Sequence, residues 1–430
     1  MKKHIKLLVV LGIILVGSFS FYLFKGYKKD ALVYENNKIK PSSSGIAMML
    51  ETSAGSGNYE MTTRSEWPTE GYVFNANLSK CENGSELSWD NENKKVLMSG
   101  NKSDKCYVYF DVYVKPRFDQ SCNDNTLACH TAKLYTGTQG ANNIYYHDAS
   151  LTNGAGDNSY RFAGASDAVN NYVCFGSTQS PCPADNLYRI IGVFGDEVKL
   201  IKSDYATSAL LGADGDYKQA YTATGNDSSN YKGNNLANVA AYNWNKTGQN
   251  TWSLSNLNKT NLNTNFIKNI GADWANKITE TTWKVGGNTR DNIQSKPAKT
   301  AYQNEIVNPV TANSQDNKTE YSAKVGLMYV SDYMYAAPQD KWTLVGYNDD
   351  ASKDYRAAAS VNWMYMGLYE WTISRNAYDS YRAFYVTYIG SVVNNGATGR
   401  TFGARPVFNL TSSVNYVSGS GTAADPISIN

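Results

Sequence analysis

Between Ile46 and Lys115 the chain alternates short apolar runs with polar breaks: IAMML, YVFNANL, KKVLMSG and CYVYFDVYV are separated by Gly, Asn, Asp and Pro. Runs of this length bounded by turn residues predict strands. Residues 45–115 are therefore expected to form a small β-sandwich of immunoglobulin-like size. Residues 116–186 lack such a pattern and are expected to be a loop-rich connector. At Leu187 the pattern sharpens. LYRIIGVF, the turn Gly195-Asp196-Glu197 and VKLIKSDYA predict a hairpin. Leu262, Phe266 and Ile270 recur every fourth residue, with Ile267 beside them and Gly271 after them. That spacing predicts an amphipathic helix with a glycine cap. A short helix is expected over 274–278, strands at TTWKVGG and AKVGLMYV, and a short helix from Ser331 through YMYAA. From Trp363 to Ile429 the pattern is strand and loop. Helices early and strands late predict an α+β domain over 187–430.

One run differs from all of these. Leu7 to Phe24 is uncharged and mostly aliphatic or aromatic, flanked by Lys2, Lys3 and Lys6 and by Lys25, Lys28 and Lys29. As a helix it would reach about 27 Å, just enough for a hydrocarbon core. No small-residue cleavage site ends it. The expectation is an uncleaved single-pass anchor over 1–29 and a polar stalk over 30–44. The protein would then sit in the cell membrane with the bulk of the chain extracellular.

Composition narrows the chemistry. Charged residues make up 18% of the chain, below the roughly 25% usual for soluble proteins, and Asn, Ser, Thr, Gly and 33 tyrosines fill the difference. A net charge of +2 gives no nucleic-acid footprint. Six cysteines fall into local couples, Cys81 with Cys106, Cys122 with Cys129 and Cys174 with Cys182, which read as disulfides. The zinc alternative, with Cys122, Cys129 and His130, has no C-x-x-C element and does not reach four ligands. The ADGD segment around Asp214 and Asp216 is too short for a calcium loop and reads as a turn. No histidine follows His147 and no G-x-S-x-G elbow occurs, so no nucleophilic triad can be assembled. Neither enzymatic activity nor a metal or other cofactor is expected.

The C-terminal third carries EWTISR (Glu370 to Arg375), AFYV (Ala383 to Val386) and GARPVFNL (Gly403 to Leu410), preceded by VGLMYVSDYMYAA and YRIIGVFGDEVKLIKSDYA. Together these segments resemble anchored surface proteins of gut Firmicutes that end in a C-type lectin-like domain. That fold is shared by formylglycine-generating enzymes and by the variable proteins of diversity-generating retroelements. The resemblance spans about 187–430 and implies a rigid frame bearing a variable face. It implies no calcium-dependent sugar binding, because the E-P-N and W-N-D triplets of true lectins are missing. Formylglycine chemistry needs a copper-binding cysteine pair, and no cysteine follows Cys182.

A depletion supports the same reading from the residues themselves. From Thr372 to Asn430 there is no Lys, Glu, Gln, Met or Trp, the five amino acids whose codons all end in a purine. Between the frame segments stand Asn, Tyr, Asp, Ser, Arg, Thr, Ile, Val, Gly, Ala and Phe, all reachable from an Asn codon whose adenines are randomised. With Trp371, Phe384 and Phe408 inward, three groups are expected to share one outward, ligand-binding face. They are Tyr378, Asp379, Tyr381 and Arg382; Thr387, Tyr388, Ile389 and Ser391; and Asn394, Asn395, Arg400 and Phe402. Tyr offers large contact area with few rotatable bonds and Arg offers forked donors, the mix found in paratopes. Arg375 and Arg405 are expected to anchor loops rather than touch a ligand. The partner would be a protein or glycan on another cell, phage or host surface, with the membrane touched only through the N-terminal helix. The rival is a structural or adhesive surface protein with no selective ligand.

Overall fold

The computed structural model describes residues 31–32 and 45–430, apart from 53–55, 65, 69, 91–92, 101–102, 113–121, 123, 224, 289–296, 310–318 and 345–354. The chain divides into two compact units, Met1–Lys115 and Pro116–Asn430. The expected anchor over 1–29 lies outside the described residues, as does most of the stalk. Among the described residues no helix is long and apolar enough to cross a membrane. The single-pass anchor and the membrane location built on it are therefore not supported.

In the first unit, one sheet runs in the order Tyr59–Met61, Ile46–Glu51, Cys106–Val112, Tyr72–Cys81. A second places Lys95–Ser99 between Ala31–Leu32 and Glu86–Asp90. Strand alternation dictates the core. Ile46, Met48 and Leu50 face inward and lie opposite Cys106, Val108 and Phe110 in a parallel pair. Val96 and Met98 of the second sheet close the same core, and Trp89 meets the Phe110 ring edge-on at 5.5 Å. Cys81 lies directly opposite Cys106 in the antiparallel ladder, and the two are bonded.

In the second unit a seven-stranded sheet follows the order Val325–Gly326, Val407–Leu410, Glu197–Lys202, Leu187–Phe194, Ser159–Phe162, Ile144–His147. Tyr172–Cys174 also pairs with Leu187–Phe194. The hairpin read at 187–202 is present and antiparallel. The connector is not a connector. Residues 144–174 supply three strands of this sheet, and Cys122–Cys129 and Cys174–Cys182 close loops beside them. Ser159–Phe162 is buried at every position although its sequence, SYRF, alternates polar and aromatic, and four residues are too few to stand out among turn formers.

The α+β expectation is also corrected: the regular structure among the described residues is mostly strand, and the helices are few and short. No α-helix among them exceeds the seven residues of Leu127–Lys133. The helix read from Leu262, Phe266 and Ile270 is real, but Leu257–Phe266 is a π-helix that becomes α-helical only at Ile267–Asn269. Gly271 follows at φ +82°, a conformation that favours glycine. Elsewhere Asn, Ser, Thr and Gly interrupt each helical run, because their side chains compete for backbone partners or leave the backbone too free.

A four-stranded sheet of the second unit carries the resemblance segments in the order Gly287–Asn288, Glu370–Asn376, Arg382–Val386, Val392–Gly396. Two buried carboxylates fasten it. Glu370 accepts from Arg405 Nε at 2.7 Å and Nη2 at 2.9 Å, while Nη2 also reaches the Met364 carbonyl at 2.6 Å. Glu305 accepts from Val330 N at 3.2 Å, from Ser331 N at 3.0 Å and from the Ser374 hydroxyl. It thereby ties the Val330–Tyr335 helix to the Glu370–Asn376 strand. Burial pushes the Glu305 pKa up to about 7, against the hydrogen bonds from Ser374 and Ser331.

Candidate functional site

The antiparallel trio Glu370–Asn376, Arg382–Val386 and Val392–Gly396 has two ends. At one end lies the loop 377–381 together with the segment 397–401; at the other lies the loop 387–391. Trp371 and Phe384 are fully buried, as is Phe408 in the neighbouring sheet. Arg405 anchors through a carboxylate and a carbonyl, the role expected of it.

The 377–381 loop is built around two short side chains. Asn376 Oδ1 accepts from Tyr378 N at 2.7 Å. Asp379 Oδ1 accepts from Arg382 N at 2.9 Å and Tyr381 N at 3.2 Å, so this carboxylate turns the loop on itself. Its other oxygen lies 3.7 Å from Arg382 Nη1, and the Arg382 guanidinium stands 5.0 Å over the Tyr381 ring. Tyr378 is 74% exposed and Tyr381 46%. Arg400 is exposed too.

The segment 243–250 holds both loops at this end. Asn250 Nδ2 donates to the carbonyls of Asn376, Asp379 and Arg382 at 2.8–2.9 Å, and Asn250 N donates to Ser380 O at 2.8 Å. Asn243 Nδ2 donates to Thr398 O and Arg400 O at 3.0 and 3.2 Å. Trp244 N and Asn245 N both reach Ala397 O, and Ala397 N reaches Tyr381 O. Each acceptor here is a main-chain carbonyl. None of these bonds uses the side chain of Tyr378, Tyr381, Thr398 or Arg400.

The holding segment is itself pinned. Trp244 is buried, donates Nε1–H to Thr372 O at 2.8 Å and packs 5.0 Å from Trp252. Asp216 is fully buried and accepts from Lys246 N at 3.0 Å and Leu257 N at 2.8 Å. The ADGD segment is thus a turn whose aspartate staples the loop holder. No group of acidic, His or Cys side chains suited to a metal ion occurs among the described residues.

The remaining expected site residues fall elsewhere. Thr387 and Ser391 are buried and bonded to one another through their hydroxyls at 2.7 Å, with Ser391 N donating to Thr387 Oγ1 at 3.1 Å. Tyr388 and Ile389 lie in the same loop, beyond the far end of Arg382–Val386, about 20 Å along the strand from Tyr381 at some 3.4 Å per residue. The Tyr388 carbonyl accepts from the Tyr365 hydroxyl, and its ring meets Tyr369 edge-on at 5.4 Å. Phe402 is buried against Trp371 and Tyr385, each at 4.5 Å. Asn394 lies opposite Phe384 and Asn395 opposite Ala383, so the two asparagines point to opposite faces. The single face expected from sequence is not formed. The structure brings together Tyr378, Asp379, Tyr381, Arg382 and Arg400.

Asn243 and Asn250 escaped the sequence reading, which places Asp216 only in a turn. In so Asn-rich a chain none of them stands out; a buried Trp244 between them, in YNWNKTGQN, is the one available signal. No family model, no curated protein and no solved structure matches this chain.

Proposed function

We propose that this chain is a ligand-binding protein whose contact surface is the loop end formed by 377–382 and 397–401. The observation that carries the proposal is the division of labour in those loops. Their conformation rests on main-chain carbonyls and on Asn376 and Asp379, while the side chains of Tyr378, Tyr381 and Arg400 are exposed and none of these holding bonds ends on the side chain of Tyr381 or Arg400. Exposed Tyr and Arg on a preorganised support are the residues that dominate protein–protein contact energies. The partner class favoured is a protein. The absence of Lys, Glu, Gln, Met and Trp from Thr372 onward accords with these positions having been varied by adenine-directed mutagenesis.

The test is a display selection with the intact chain against surface proteins and against glycans, in parallel with a Tyr378→Ala/Tyr381→Ala/Arg400→Ala variant. A protein partner captured by the intact chain and lost by the variant, at unchanged melting temperature, is the expected result. Capture that survives the triple change refutes this surface, and capture of glycans alone reassigns its ligand. A neighbouring near-copy repeat with a reverse transcriptase gene would accord with the mutagenesis; variable positions with purine-ending codons would oppose it.

A further inference from the structure

A second concavity of the second unit lies away from the loops just described. It has a volume of about 350 Å³ and is lined by His130, Leu134, Asn142, Asn143, Phe162, Ala168, Asn170, Gly419, Ser420 and Ile427. Its accessible apolar side is made by half-buried Leu134 and exposed Ala168, whereas Phe162 and Ile427 are each only 2% exposed. Its polar side is made of amides, a hydroxyl and an imidazole, with no Asp, Glu, Lys or Arg among the lining residues. Burial, and then Lys133, push the His130 pKa down from its ordinary 6.5, so the ring is neutral at pH 7.

The polar groups are positioned in advance. Asn142 and Asn143 are consecutive residues in the left-handed region, at φ +56° and +57°, a conformation disfavoured for non-glycine residues. Each is held there by its own amide: Asn142 Nδ2 donates to Leu134 O at 2.8 Å and Asn143 Nδ2 to Ala168 O at 2.9 Å. Asn142 Oδ1 is left without a partner among the described residues. The His130 ring lies flat on Tyr416, with centroids 3.7 Å apart and 6° between planes. That stack fixes the ring, yet neither ring nitrogen has a partner among the described residues. The Asn170 side chain is exposed and likewise without one.

We propose that this cavity binds one neutral monosaccharide unit. A pyranose presents an apolar face and a rim of hydroxyls that both donate and accept, which matches an apolar side of Leu134 and Ala168 and a rim of His130, Asn142 and Asn170. The uncharged lining disfavours phosphates and carboxylates, whose desolvation it does not repay. The volume lies at the lower end of the roughly 300–1,000 Å³ typical of ligand sites, which suits a single ring rather than a chain.

Saturation-transfer NMR on the full chain, with N-acetylglucosamine, galactose and mannose as probes and glucuronate and inorganic phosphate as controls, tests this. At least one neutral sugar is expected to bind in about the millimolar range, and both controls to be silent. His130→Phe keeps the stack on Tyr416 while removing the ring nitrogens. Asn142→Gly keeps the left-handed backbone while removing the amide. Each is expected to weaken the sugar about tenfold, with the melting temperature unchanged in His130→Phe and lowered slightly in Asn142→Gly, which also loses the bond to Leu134 O, whereas Tyr378→Ala/Tyr381→Ala leaves sugar binding unchanged. The proposal is overturned if no neutral sugar binds the intact chain, if both cavity variants bind as the intact chain does, if a charged control binds equally well, or if only the loop variant abolishes the signal. The display result for the loop end is independent of all four outcomes.

Discussion

The two ends of one small sheet solve the same turning problem by different means. At the 387–391 end, a hydroxyl pair within the loop and two tyrosine hydroxyls from outside it do the holding. Thr387 and Ser391 bond each other, the Tyr333 hydroxyl donates to Gly390 O at 2.9 Å, and Tyr365 donates to Tyr388 O. At the 377–401 end the acceptors are main-chain carbonyls, and most of the donors come from the separate segment 243–250. A carbonyl is present whatever the side chain. The first end therefore constrains Thr387 and Ser391 through their own hydroxyls and Gly390 through its left-handed backbone, while the second constrains mainly Asn376 and Asp379. Exposure follows the same division: Thr387 and Ser391 are 3% and 0% exposed, and Tyr378 is 74%.

The sharpest way to break this contrast is a pair of glycine substitutions. Gly390 sits at φ +89°, and an added Cβ would fall 2.2 Å from the Ala359 Cβ. Gly390→Ala is expected to cost about 4 kcal/mol in chemical denaturation, through overpacking and a disfavoured backbone together. Gly399, at the other end, has nothing within 4 Å of such an atom, and Gly399→Ala should stay within about 0.5 kcal/mol. Equal melting of the two variants would erase the distinction.

Next in size is Asn250→Ala. It strands three carbonyls at once and should cost about 3 kcal/mol, with faster amide exchange over 377–382 and none of that loosening over 387–391. Its counterpart Thr387→Val, which removes one hydroxyl, should cost about 1–2 kcal/mol and loosen only its own loop. Uniform loosening in either variant would mean the ends are coupled.

Glu305 gives a handle on the sheet that both ends share, because it holds the Glu370–Asn376 strand through Ser374. Its folded-state pKa of about 7 lies above the ordinary 4.5, so between those values the native state binds the proton more tightly than the unfolded chain. Stability should fall by about 3 kcal/mol as pH rises through that window and level off above it. Glu305→Gln should flatten the slope; a slope that persists in that variant assigns it to another group. Last, Tyr378→Ala and Tyr381→Ala should each change stability by no more than about 0.5 kcal/mol, despite removing whole aromatic rings. A larger loss would show that these rings pack rather than present themselves.

The sequence revealed local events better than associations. The 187–202 hairpin, the helix around Phe266, the three cysteine couples and the anchoring role of Arg405 each depend on neighbours in sequence or on a plain chemical pairing, and each is in the structure. What failed depends on distant partners. Ser159–Phe162 is a strand because the Leu187–Phe194 and Ile144–His147 strands flank it, and nothing in four residues announces that. The shared face failed for a related reason: alternation says which residues leave a strand on the same side, but not at which end of it a loop lies. Tyr388 and Tyr378 look equivalent in the sequence and are separated by the length of a strand.

A loop fastened through its peptide groups has a consequence for inheritance. Codon changes at 381, 398 or 400 should leave the folding reaction almost untouched, giving the cell's chaperones and proteases little basis for rejecting the products. Natural selection, or an experimenter building a library at those codons, can then sort the offspring by what they recognise rather than by whether they survive synthesis.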